Sequence, residues 1–471
     1  MVDSTLLFLV DLFLLLGGAV AAGEIAAHFG QPAMVGQLLV GIFLGPTLLG
    51  PYVGLASLGP DLGGLQLLAT VFVLFMAGLE LSPEQIYRMS VGNLLLGIGL
   101  FFLPFLAGVG AVRLLYPGDS WSTVYFVAIA LAITALPVMG IMLSEFGLTH
   151  SETGRILLNS ALINEFCAVT VFALVLHVGA GSGPNAFVYA FGAVGAFLGL
   201  MFGIHFLLKF FRERRWWLPI TRWFQRTWRS KQGGFALLMV LLLAATLLSQ
   251  ELGLTYVIGA FYAGLLVTRE SAGEEAHESI SQVFDSMTWG FFVPLFFAFV
   301  GVQMNLRLLN TPIAIAILVA LFGVASASKI GTGFFGTKLL GWSRADALAG
   351  GFLVNSRGGV ALAMAVILLT DGLIDIQLFT VIATVSLATS LLAPIGAVWA
   401  WRSDERSREA LYARVPRLRP GATGAPRVLG VPLAPWPAAP ADRARPSLRP
   451  VDPPARGRPP LPPPRKPPPE P

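Results

Sequence analysis

Residues 154–180 read GRILLNSALINEFCAVTVFALVLHVGA. The run is long enough to cross a bilayer core, which takes ~20 apolar residues per helix. One acid, Glu165, stands near its middle and follows Asn164. An ionisable group at that depth costs about 2.5–3.5 kcal/mol on the insertion scale, so it marks a functional site by default. The plain alternative is a protonated Glu that satisfies an adjoining helix. A carboxylate beside an amide oxygen supplies hard oxygen ligands, which suit Na⁺, K⁺ or H⁺. Burial favours the protonated acid and a bound cation favours the ionised one, so cation and proton compete for one group.

The rest of the chain has the same character. Of 471 residues, 55% are hydrophobic and only 12% charged. A soluble domain carries about 25% charged residues, so the composition excludes a soluble globular protein. A single cysteine, Cys167, excludes a disulfide framework and a thiolate metal cluster. Five scattered histidines without HExxH spacing argue against a zinc hydrolase. No enzyme chemistry and no cofactor are indicated. Thirteen apolar segments are candidate spans: 4–28, 32–50, 63–82, 91–116, 121–148, 154–180, 186–211, 233–253, 255–269, 280–305, 312–341, 345–374 and 375–400. The expected fold class is an all-α polytopic membrane protein.

Two of these segments are interrupted. The fifth contains AITALPVMG (132–140), with Thr134 and Pro137 at mid-depth, and the twelfth contains VNSRGGVA (354–361). They stand seven segments apart. Segments 1–6 and 8–13 then form two repeats, inverted by the odd linker, with a site where the broken helices meet at the midplane. Ordinary proline and glycine kinks are the bland alternative. Other deep charges are few. Lys329 in segment 11 reads as a counter-charge to Glu165 or to the negative ends of the half-helices, or as a proton carrier. Arg357, in the second break, reads as a fixed compensating charge. Glu80 closes segment 3 and is a possible accessory acid, or simply a helix-end residue beside Ser82-Pro83-Glu84. Asp11, Glu24 and Asp285 carry no assignment, and Cys167 reads as a small apolar filler.

Charge distribution sets the expected topology. Residues 403–471 hold 13 Lys+Arg and 6 Asp+Glu, net +7; the remainder, with 18 and 20, is net −2. The basic loop 209–232, together with Arg88, Arg155, Arg269, Arg344 and the tail, falls on one side, leaving Arg113 and Arg307 on the other. Lys and Arg choose the cytoplasmic face, so the N-terminus is expected outside and the tail cytoplasmic in an inner membrane. The Arg/Trp-rich stretch 212–229 reads as an interfacial segment against lipid, and no basic stripe points to nucleic acid. Twenty of the 33 prolines lie in 403–471, which is therefore expected to be disordered, with 1–402 as the membrane domain.

Four motifs carry a family resemblance from about 30 to 400. PAMVGQLLVGIFLGPTLLG (32–50) resembles the P-x-x-x-G-E-x-x-x-G-x-x-x-G-P signature of the monovalent cation:proton antiporter-2 family. LFMAGLEL (74–81), SMTWGFFVPLFFAFVGVQMNL (286–306) and VNSRGGVALAMA (354–365) resemble its LFxxGLEL, PLFFxxxGxxxxL and RGEVALV segments. The resemblance implies thirteen helices in inverted repeats, a homodimerisation domain and a moving core. It implies that segments 5 and 12 cross, that an Asp-Asp or Asn-Asp pair in segment 6 binds the ion, and that a Lys in segment 11 stabilises the site. Asn164-Glu165 and Lys329 match those positions, with Glu in place of the usual Asp and Gln37 in place of the motif's Glu. The family's Lys–carboxylate pairing, which goes with electrogenic exchange, has no first carboxylate here.

Three functions follow for comparison: an elevator-type antiporter of Na⁺ or K⁺ against H⁺, with the cation held at Glu165, Asn164 and Thr134; a gated K⁺ efflux channel of Kef type; and a scaffold working through its proline-rich tail.

Overall fold

The computed structural model describes residues 4–29, 31–53, 60–79, 89–149, 151–180, 192, 195, 199, 203, 231–251, 256–266, 284 and 286–415. Among these residues the regular elements are all helical: α1 (Ser4–His28), α2 (Ala33–Leu44), α3 (Pro60–Leu79), α4 (Val91–Leu115), α5 (Trp121–Ala132), α6 (Leu136–Glu145), α7 (Glu152–Ala180), α8 (Lys231–Glu251), α9 (Tyr256–Leu266), α10 (Val293–Gln303), α11 (Pro312–Leu339), α12 (Arg344–Val354), α13 (Gly359–Thr370), α14 (Ile376–Arg402) and α15 (Glu405–Arg414). Eight helical stretches among them are long and apolar enough to cross a membrane, counting α5–α6 and α12–α13 as one each. Segment 7 lies outside the described residues apart from four helical glycines, as do Glu80, Asp285 and the Arg/Trp stretch.

Local chemistry sets the boundaries. Ser90, Ser120, Thr311, Ser343 and Asp375 each cap a helix by accepting from a backbone N–H three residues on. α2 stops at Leu44, short of the expected residue 50, because Gly45 is extended ahead of Pro46. A π-turn, Thr288–Phe292, precedes α10; Val293 N–H bonds back to the Thr288 carbonyl, and Pro294 follows with no N–H to give.

The helices pack in two groups. α1, α2, α3, α8, α9 and α10 form a panel, with α2 against α1 and α10, and α9 against α8 and α3. The other group, the core, holds α4–α7 and α11–α14; α4 lies against α5, α7 and α11, and α11 against α12. Contacts between the groups are fewer, chiefly α13 on α3, with smaller ones of α7 on α9 and of α10 on α13 and α14.

Small residues set the panel spacing, as expected where lipid removes the hydrophobic drive between helices. A Cβ on Gly41 would stand 2.0 Å from the Ala298 carbonyl oxygen, and one on Gly301 2.2 Å from that of Leu38. Gly78 and Gly264 face the Phe261 and Phe75 carbonyl oxygens in the same way, at 1.9 and 2.2 Å. These positions have a constant register: Gly41 and Gly264, like Gly78 and Gly301, are 223 residues apart (264 minus 41). The same offset relates the starts of α2 and α9 (256 minus 33), of α5 and α12, and of α6 and α13.

The tail is ordered further than its composition suggests. Residues 405–414, expected to be disordered, form α15 instead, and the reason is local. The first tail proline is Pro416, the stretch before it is rich in Glu, Arg, Ala and Leu, and the Asp404 side chain accepts from Ser407 N–H as N-cap. Ser407, Leu411 and Val415 are buried on one face, and α15 packs on α14. Beneath it Phe146 meets Trp401 edge-on at 5.1 Å, and Trp401 Nε1 donates to Asp346 Oδ1 at 3.1 Å. Residues 416–471 lie outside the described residues.

Candidate functional site

The interruptions fall where the sequence places them. Ile133–Ala135 separate α5 from α6, and Asn355–Gly358 separate α12 from α13. Pro137 cannot donate to α5, so the helix ends and restarts. The two breaks cross in contact. Ala135 N–H donates to the Ser356 carbonyl at 3.0 Å, and Thr134 Oγ1 donates to the Val354 carbonyl at 3.0 Å. A Cβ on Gly358 would stand 2.6 Å from the Ala135 Cβ, so the crossing needs glycine there.

A broken helix leaves orphan carbonyls at one end and orphan N–H groups at the other. The C-terminal end of α5 is satisfied by side chains from two other helices and from the second break. Lys329 Nζ donates to the Ala132 carbonyl, and also to that of Leu100 at 2.8 Å. Arg357 donates to the Leu131 carbonyl through Nη2. Asn164 Nδ2 donates to the Ala132 carbonyl at 3.2 Å, while its Oδ1 accepts from Thr134 N–H at 2.7 Å. Two cations thus sit at the negative end of a half-helix, where its dipole favours them. Ser390 ties down Arg357 from α14, accepting from its N–H at 3.1 Å and donating to its carbonyl at 2.6 Å.

Glu165 occupies the opposite pole. It is fully buried, and its Oε1 accepts from Leu136 N–H, the first residue of α6, at 3.4 Å. A helix N-terminus is a favourable place for a carboxylate. One short stretch of α7, Asn164-Glu165, therefore reaches both ends of the break. Thr134, Asn164, Glu165, Lys329 and Arg357 all meet within this one buried region.

The geometry adds a role to two expected ligands. Asn164 and Thr134, expected as ligands, are each hydrogen-bonded across the crossing and brace it. Lys329 lies on backbone carbonyls of α4 and α5. Composition alone did not single out Ser390, or Ser326, which accepts from Asn355 Nδ2 at 3.4 Å. Their signal was a hydroxyl in an otherwise apolar run, which membrane helices also use for ordinary back-bonding.

Comparison with known proteins agrees with this geometry. The sequence family described as sodium/hydrogen exchanger, transmembrane, matches residues 12–402. The Na(+)/H(+) antiporter NhaS4 of Synechocystis is 26% identical over 405 residues, 83% of this chain and 96% of that protein. The Na(+)/H(+)-K(+) antiporter GerN of Bacillus cereus is 25% identical, covering 86% of this chain and 98% of its own. Among solved structures, the sodium proton antiporter MjNhaP1 of Methanocaldococcus jannaschii superposes with a TM-score of 0.60 at 16% identity, over 87% of this chain and all of that one. The chain belongs to the transmembrane sodium/hydrogen exchanger family, as its monovalent cation:proton antiporter motifs lead one to expect.

Proposed function

We propose that the chain exchanges a monovalent cation, Na⁺ or K⁺, for protons, with Glu165 as the shared binding group. The observation that carries this reading is a fully buried carboxylate on the first N–H of a half-helix, at the crossing of two interrupted helices. Glu165, with oxygens of Asn164 and Thr134 and carbonyls freed at the break, forms the cation site. Lys329 and Arg357 hold the negative end of α5 in place. A bare carboxylate is costly to move through a low-dielectric path, so only the protonated or cation-bound form crosses. That restriction couples the two fluxes.

The constant 223-residue register supports thirteen spans in two inverted repeats, with the panel as fixed homodimerisation body and the core as an elevator. Glu80 remains a proposed accessory acid, and an inner membrane with the tail cytoplasmic remains the proposed setting. The relatives NhaS4 and GerN are named as antiporters and give no support to a Kef-type channel.

Reconstitution into liposomes carrying a pH dye tests this directly. Pulses of Na⁺, K⁺ or Li⁺ should move lumenal pH, and the ranking of pulses names the cation. Cation flux with no linked pH change would overturn the exchange reading.

A further inference from the structure

Among the described residues, a side-chain hydrogen bond crosses the boundary between panel and core next to the site. Tyr262 of α9 and Thr170 of α7 bring their hydroxyls to 2.9 Å. Thr170 Oγ1 also lies 2.8 Å from the Phe166 carbonyl and donates its single proton there. The Tyr262 hydroxyl is therefore the donor and Thr170 the acceptor. The tyrosine ring meets Phe166, the residue after Glu165, edge-on at 6.0 Å. The panel thus grips the turn of α7 that follows the carboxylate. The grip has a rigid base: Gly264, two residues on, lies backbone to backbone against α3.

We infer that Tyr262 and Thr170 form a latch that favours this state of the core over the opposite one. The inference rests on the exchange reading and on the repeat. In an inverted repeat, the opposite state arises when the halves exchange arrangements. Under the 223-residue register, Tyr262 corresponds to Leu39 (262 minus 223) and Thr170 to Ala393 (170 plus 223). Neither can make this bond. α9 and α7 touch at only a few positions, so the Tyr262–Thr170 bond is a local contact and not part of a broad interface. The bond is present in one state, has no counterpart in the other, and must break in each cycle. Tyr262 and Thr170 are positioning residues that weight the two states; they do not touch the ion. A net hydrogen bond of ordinary strength corresponds to a bias of about two- to tenfold.

The chain carries its own reporter. Cys167, the lone cysteine, is half-buried one turn before Thr170, on the same face of α7. Full-length protein, Tyr262→Phe, Thr170→Val and the double variant are reconstituted into liposomes. N-ethylmaleimide labelling of Cys167 is followed by intact mass, and cation-driven pH change gives the maximal rate and half-saturating cation concentration. Each single variant should label about two- to tenfold faster and shift half-saturation, with Tyr262→Phe keeping the parent's melting temperature. The double variant should change no further than Thr170→Val, because the Tyr262–Thr170 bond is already lost in each single variant. Exchange by the parent with labelling and half-saturation unchanged in the variants would overturn the latch and leave the exchange reading intact. Additive effects in the double variant would also overturn it. A parent without cation-linked pH change would remove the reading on which the latch rests.

Discussion

Panel and core solve the same problem, packing helices in lipid, by opposite means. The panel relies on backbone contact. Gly41 with Gly301, and Gly78 with Gly264, leave no room for a side chain between helices. The core relies on polar contacts. A carboxylate, an ammonium, a guanidinium and an amide converge on broken backbone. A panel built this way has little freedom to rearrange internally. A core built this way carries charge in a set of hydrogen bonds that stays together. In the proposed elevator, the few contacts between the groups would be the plane of sliding. The difference teaches where substitutions should cost stability and where they should cost transport.

The largest effect on stability belongs to the panel. Gly78→Leu puts a branched chain onto a backbone oxygen and should cost at least ~3 kcal/mol, read as a lowered melting temperature in detergent. Gly331→Leu on α11, where a Cβ meets nothing within 4 Å, should stay within about 0.5 kcal/mol. Equal losses at the two positions would break the distinction.

Lys329→Ala comes next. It strips a donor from the Leu100 and Ala132 carbonyls; Ala132 keeps the Asn164 amide, while the buried Leu100 carbonyl loses its side-chain partner at roughly 1–3 kcal/mol. Melting temperature should fall more than residual exchange does. A variant as stable as the parent yet inactive would make Lys329 a proton carrier instead of a brace.

The smallest effect concerns α15, which packs on α14. Removing 416–471 should leave stability and exchange unchanged. Removing 405–471 uncovers the sites of Leu411 and Val415 and should lower stability by about 1–3 kcal/mol, with exchange retained. Identical behaviour of the two truncations would mean that α15 contributes nothing to the core.

Much of this was legible in the sequence, for physical reasons. Glu165, Lys329 and Arg357 stand out because charge is rare and costly in apolar helices. The breaks stand out because Pro137 and Gly358-Gly359 interrupt long runs. Apart from the repeat register, two things were not legible. One is the bracing role of Asn164, since an amide that braces backbone and one that binds a cation look alike in sequence. The other is α15, because twenty prolines averaged over 403–471 hide a proline-free start. The residue-level register was also hidden, since the two halves share mainly backbone-contact glycines and helix starts.

The central claim is that one carboxylate carries both ions. Glu165→Gln keeps size and hydrogen bonding but cannot titrate. The account predicts that the variant, reconstituted beside the parent in pH-dye liposomes, shows no cation-dependent proton movement, while Glu165→Asp retains exchange with a shifted half-saturating cation concentration. A robust cation-driven pH change from Glu165→Gln would contradict it.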